Sequence, residues 1–229
     1  MFSPASAKRL KYNSGVKIVW DGNSLVQGAG ATVETNAPSW AASYAPLAGS
    51  GAITINRGIG GQTIRQMNGL DTGSAADVDS DFDVSKKNIL IVWETRNQIW
   101  GNGASTAKTW QEVMTETTAY IAARRAAHPW HAVVLLTALP SFGTTAQATS
   151  IESANTYMRS NFRVMGADIL VDVQHPTSPF KFRGDSALAF QLTQSLWSET
   201  STWTHLNSDG YQIVARLVSN GLRRVRAKA

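Results

Sequence analysis

The 229-residue sequence contains no cysteine. Disulfides, zinc–thiolate sites, iron–sulfur clusters and a cysteine nucleophile are therefore excluded. Charge is also sparse. Asp, Glu, Lys and Arg make up 16% of the residues against 43% apolar, which excludes a disordered chain and a coiled coil. Long hydrophobic runs are missing too. The most apolar stretches, residues 89–93 and 132–139, fall far short of the roughly 20 residues that span a bilayer. Lys8, Arg9 and Lys11 lie near the start with no apolar stretch behind them. No secretory signal is expected, and the chain reads as soluble with its compartment unassigned.

What is present is an ordinary globular composition, long enough to bury a core as a single domain over residues 1–229. Apolar runs at 16–20, 53–56, 88–93, 132–137 and 168–173 predict five strands. Helices are predicted at 39–47, 104–127, 151–164 and 208–226, the last capped by Asn207 or Ser208. Strands alternate with helices, and the strands are continuous apolar runs. That pattern predicts a three-layer α/β/α arrangement around a mostly parallel five-stranded sheet covered on both faces. No linker or internal repeat divides the chain.

In open parallel sheets, reactive side chains gather in the loops at the carboxyl ends of the strands. Four such loops stand out. The first strand leads into Asp21-Gly22-Asn23-Ser24-Leu25, and the second into Asn56-Arg57-Gly58-Ile59-Gly60-Gly61-Gln62-Thr63. The third leads into Trp93-Glu94-Thr95-Arg96-Asn97-Gln98, and His205-Leu206-Asn207-Ser208-Asp209-Gly210-Tyr211 precedes the final helix. Together, and in this order, they resemble the four motif blocks of the SGNH (GDSL-type) hydrolases, over nearly the whole chain.

The resemblance implies a flavodoxin-like α/β/α fold and a serine esterase. Ser24, in a variant of Gly-Asp-Ser-Leu, takes the nucleophile's place, and His205 the general base's. The backbone N–H groups of Ser24 and Gly61 and the side-chain amide of Asn97 take the places of the oxyanion-hole donors. The chemistry agrees with these residue types. A serine hydroxyl needs a base to take its proton, and histidine titrates near neutrality. Donors aimed at the developing oxyanion lower the barrier. The implied substrate is an acyl ester, with acetyl the candidate group, of a carbohydrate or small molecule, and no cofactor or metal is implied. There is no Gly-x-Ser-x-Gly elbow, so the commoner α/β-hydrolase motif does not contribute.

The sequence departs from that pattern in two places. The family usually has an aspartate three residues before the histidine, where this chain has Thr202. A backbone carbonyl near Thr202 could orient His205 in a Ser–His dyad, or a remote acid such as Glu199, Asp185 or Asp172 could serve. The remaining alternative is a weakened or inactive relative acting as a glycan-binding or structural module. In the third block Arg96 precedes the asparagine. It reads either as a cleft residue favouring an anionic group or as a solvated loop residue.

Other features carry less. His128 and His131 flank a helix-to-strand turn and read as surface residues. His175 lies in a loop, and no His/Asp/Glu spacing makes a transition-metal site. The run Asp77-Val78-Asp79-Ser80-Asp81-Phe82-Asp83 fails the calcium-loop pattern at Phe82 and Asn88 and reads as a solvated acidic loop. Of eight tryptophans, Trp20, Trp93, Trp100 and Trp203 lie near the motif blocks. Aromatic faces suit sugar rings, but packing is their ordinary role. The net charge of +5 equals the contribution of Arg216, Arg223, Arg224, Arg226 and Lys228, which follow the last acidic residue, Asp209. Cations near a helix C-terminus complement its dipole, so no nucleic-acid partner is expected. The oligomeric state is left open.

Overall fold

Strand β3, Lys87–Trp93, shows why the chain forms layers. Ile89, Ile91 and Trp93 point into one apolar cluster, and Leu90 and Val92 into another. A strand buried on both faces needs a cover on each. The computed structural model describes residues 15–32, 52–73, 77–102, 105–140, 144–180, 194–198 and 204–226.

Five parallel strands form the sheet: β1 (Val16–Gly22), β2 (Ile53–Asn56), β3, β4 (Ala132–Leu136) and β5 (Ile169–Val171). Their order is β2-β1-β3-β4-β5, the doubly wound order of flavodoxin-like folds. In the β1–β3 register Val16 lies beside Lys87 and Gly22 beside Trp93, so the loops after β1 and β3 emerge side by side. One face is covered by α6 (Ser208–Arg226) through Tyr211, Val214, Ala215, Val218 and Leu222. The other is covered by α4 (Trp110–Ala127), through Val113, Met114, Tyr120 and Ile121, and by α5 (Thr145–Asn161), through Ile151, Ala154 and Met158.

The five expected strands and the parallel sheet are all present, with shifted ends. Helix α4 starts at Trp110 rather than 104 because Thr109 caps it. The Thr109 Oγ1 accepts from the Glu112 N–H at 3.3 Å, and the Glu112 carboxylate accepts from the Thr109 N–H at 2.9 Å. Thr144 and Gln147 do the same for α5, which begins at Thr145 rather than 151. Three short helices were not expected: α1 (Ser24–Gln27), α2 (Ile64–Met67) and α3 (Arg96–Trp100). The helix expected at 39–47 lies outside the described residues.

The acidic run is not a solvated loop. Asp81 is 6% exposed and takes a two-pronged ion pair from Arg57, with Nε at 2.7 Å and Nη2 at 2.8 Å. Asp79 pairs with Arg124 Nη1 at 2.9 Å. The run thereby ties the loop after β2 to α4. Among the described residues no cluster of ligating side chains could hold a metal, and no helix is long and apolar enough to cross a membrane.

Candidate active site

Ser24 and His205 are 181 positions apart in sequence, and the fold brings them into contact. Strand β1 ends at Gly22, and Asn23 caps the short helix α1 by accepting from the Leu25 N–H at 2.9 Å. Ser24 opens α1 and is 9% exposed. Its Oγ lies 3.0 Å from His205 Nε2. That is the spacing a base needs to take a hydroxyl proton.

The His205 loop is held at several points. Arg96 Nη2 donates to the Thr204 carbonyl at 2.6 Å. The Ser198 N–H donates to the His205 carbonyl at 3.0 Å. Tyr211, fully buried, donates its hydroxyl to the Ala29 carbonyl at 2.8 Å, and the Thr32 N–H donates to Ser208 Oγ at 3.1 Å. The turn after α1 is thus fastened to the start of α6. Gly30 lets the two meet. It has φ +89°, and a Cβ there would lie 2.7 Å from the Leu206 carbonyl oxygen and 2.9 Å from His205 Cβ.

The second and third motif blocks close around the serine. Asn56 Nδ2 donates to the Val26 carbonyl at 2.9 Å, and the Ile59 N–H donates to the Gly22 carbonyl at 3.0 Å. Both contacts anchor the glycine-rich loop to α1 and its approach. Gly61 turns with φ +77°, a conformation that disfavours any residue with a Cβ. Asn97 lies in α3, and its Nδ2 donates to the Gln62 carbonyl at 3.0 Å. Gln98 Oε1 accepts from the Arg65 N–H at 3.1 Å. The loop carrying Gly61 and the helix α2 that follows it are therefore each joined to the helix carrying Asn97 by one hydrogen bond. One of the two hydrogens on Asn97 Nδ2 is used in this link.

Two buried carboxyls lie beneath these loops. Glu94 is 1% exposed and accepts from Asn23 Nδ2 at 3.1 Å, the Gln98 N–H at 3.0 Å and the Asn97 N–H at 3.4 Å. Asp21, also 1% exposed, accepts a hydrogen bond from the Tyr120 hydroxyl. Burial pushes each carboxyl up to about 7, and their hydrogen bonds oppose the rise without cancelling it. Burial and the nearby Asp21 charge raise the Tyr120 hydroxyl well above its ordinary value.

Of the residues singled out in the sequence, Ser24, Gly61, Asn97 and His205 lie on segments hydrogen-bonded to one another. Thr202, Glu199, Asp185 and Trp203 lie outside the described residues. Asp172 is engaged by Thr137 Oγ1 at 3.0 Å and Arg159 Nε at 2.9 Å. Arg96 is not a solvated loop residue. It is 2% exposed, and its guanidinium carbon lies 4.9 Å from the Trp100 ring centre. Trp20 and Trp93 belong to the core, and His128 stacks on Phe82 at 4.5 Å. Sequence reasoning missed the roles of Glu94, Gly30 and Tyr211. Only the placement of Glu94 and Tyr211 within the motif stretches hinted at them.

No protein-family model matches the chain, and no curated protein matches it in sequence. Solved structures do match. An acetylxylan esterase from Geobacillus stearothermophilus aligns with a TM-score of 0.62 at 15% identity, over 94% of this chain and 96% of its own. An alpha/beta hydrolase enzyme from the metagenome of Lake Arreo, Spain, gives 0.64 at 17%, over 92% and 97%. A GDSL-like lipase from Bacteroides thetaiotaomicron gives 0.58 at 16%, over 91% and 88%. At these identities the likeness establishes a shared α/β fold.

Proposed function

We propose that this chain, sharing its fold with esterases and a lipase, is a serine esterase that cleaves an acyl ester of a carbohydrate or small molecule. Acetyl esters are the first class to test. The observation that carries the reading is the 3.0 Å contact between Ser24 Oγ and His205 Nε2. The acetylxylan esterase among the structures of the same fold supports the choice of acetyl.

In this reading Ser24 Oγ attacks the ester carbonyl while its proton passes to His205 Nε2. The resulting oxyanion is met by the N–H groups of Ser24 and Gly61 and by the second hydrogen of Asn97 Nδ2. His205 then protonates the departing alcohol, leaving an acyl group on Ser24. Water, activated by His205, attacks the acyl group and regenerates the hydroxyl. Hydrolysis of p-nitrophenyl acetate tests the reading. Turnover is expected from the protein and is expected to vanish in Ser24→Ala, whereas equal rates for the two would remove Ser24 as nucleophile.

A further inference from the structure

Residue 23 makes two hydrogen bonds that fix its orientation. Its Oδ1 accepts from the Leu25 N–H at 2.9 Å, so its Nδ2 must be the atom facing Glu94 Oε2 at 3.1 Å. Glu94 in turn meets donors only: Asn23 Nδ2 and the Asn97 N–H on one oxygen, and the Gln98 N–H on the other. A single buried carboxyl therefore touches both the cap of the helix that opens with Ser24 and the first turn of the helix that carries Asn97. The β1–β3 pairing ends at Gly22 and Trp93. Beyond that point the Asn23–Glu94 contact is a side-chain link between the two loops.

We propose that Asn23 and Glu94 form a positioning couple that sets Ser24 against Asn97, and that it works only when one side is an amide donor and the other a carboxylate acceptor. The proposal rests on the esterase reading for its consequence in catalysis, but the couple itself does not depend on that reading. A carboxylate at both positions would bring two buried negative charges into contact, and like charges that close oppose each other's ionisation. An amide at both positions would aim an N–H of residue 94 at the N–H groups of α3. Exchanging the two groups keeps the contact between residues 23 and 94 and gives up only the 3.4 Å acceptor of the Asn97 N–H. An aspartate introduced at 23 can accept from the Leu25 N–H and from the amide of a glutamine introduced at 94. The glutamine's own oxygen can then accept from the Gln98 N–H.

The test is a four-protein cycle: the native chain, Asn23→Asp, Glu94→Gln and the double exchange. It is run at pH 8.5, above the value near 7 to which burial pushes Glu94. On p-nitrophenyl acetate, Asn23→Asp is expected to lose about 30-fold in kcat and Glu94→Gln about 10-fold, with KM changed less than about threefold. The double exchange is expected to return to within about fivefold of the native kcat, the non-additivity that marks two residues in direct contact. A double exchange as poor as the product of the two single losses overturns the couple, as does an Asn23→Asp protein with native kcat. Losses confined to melting temperature, with native kcat in the folded fraction, reduce the contact to a structural one. Thermal melts of the same four proteins cover the remaining cases. If the native chain has no turnover, the esterase reading fails. The couple then stands if the double exchange recovers melting temperature and falls if the losses add. An Asn23→Asp chain that does not fold, beside a double exchange that does, supports the couple.

Discussion

The guanidinium of Arg96 donates to the backbone carbonyl of Thr204 at 2.6 Å, one residue before His205. An arginine that follows β3 thus holds the loop of the residue proposed as base. A charged hydrogen bond of this kind contributes about 1.5–3 kcal/mol, or roughly 10- to 100-fold in a rate that depends on it. Arg96→Met is expected to lower kcat for p-nitrophenyl acetate within that range and to leave KM nearly unchanged. A rise in KM with native kcat would instead place Arg96 against the substrate.

Gly30 supplies a second prediction. Its positive φ and the closeness of Leu206 and His205 leave no place for a methyl group. Gly30→Ala is expected to cost at least about 1 kcal/mol in stability. It should also reduce activity in the folded protein, because the displaced neighbour is the His205 loop. Chemical denaturation and a rate measured on the folded fraction check both parts. A stable, fully active variant would show that the turn after α1 does not constrain the base.

The two buried carboxyls make stability depend on pH. Asp21 and Glu94 titrate near 4 in an unfolded chain and near 7 in the fold. With folded values raised, their contribution is complete below the unfolded values and is lost as pH rises through about 7. Asp71, Asp83 and Glu112 are held below their ordinary values by hydrogen bonds from Ser105, Ser85 and Thr109, so they stay ionised across this window. Melting temperature is therefore expected to fall between pH 5 and pH 8.5. Asp21→Asn keeps an acceptor for the Tyr120 hydroxyl and removes the charge, so its melting temperature should fall less over the same range. A melting temperature that rises across this range in the native protein would contradict the assignment.

Much of this was legible in the sequence because it rests on local pattern. The five strands are short apolar runs ended by turn residues, and the segments that follow the first three hold Ser24, Gly61 and Asn97. The helix starts were legible in principle. Thr109 and Glu112, like Thr144 and Gln147, stand at capping-box spacing, which marks starts at 110 and 145 rather than 104 and 151. Helices of four or five residues such as α2 and α3 carry too few apolar positions to show a period. The Asn23–Glu94 and Arg96–Thr204 contacts were not legible at all. Their partners are 71 and 108 positions apart, and only the parallel register of β1 and β3 and the return of the chain into α6 bring them together. The burial of Asp81, and of Arg96, for which a solvated loop position was one of two readings, was hidden for the same reason: burial of a charge depends on a distant partner that composition does not reveal.

The central claim, that Ser24 is a nucleophile activated by His205, is tested most directly by covalent labelling. The folded protein is treated with a fluorophosphonate and analysed by intact mass and peptide mapping. A single adduct on Ser24 is expected, absent from Ser24→Ala and formed at least about 100-fold more slowly in His205→Ala. No adduct on the native protein, an adduct on another serine, or an undiminished rate without His205 would contradict the account.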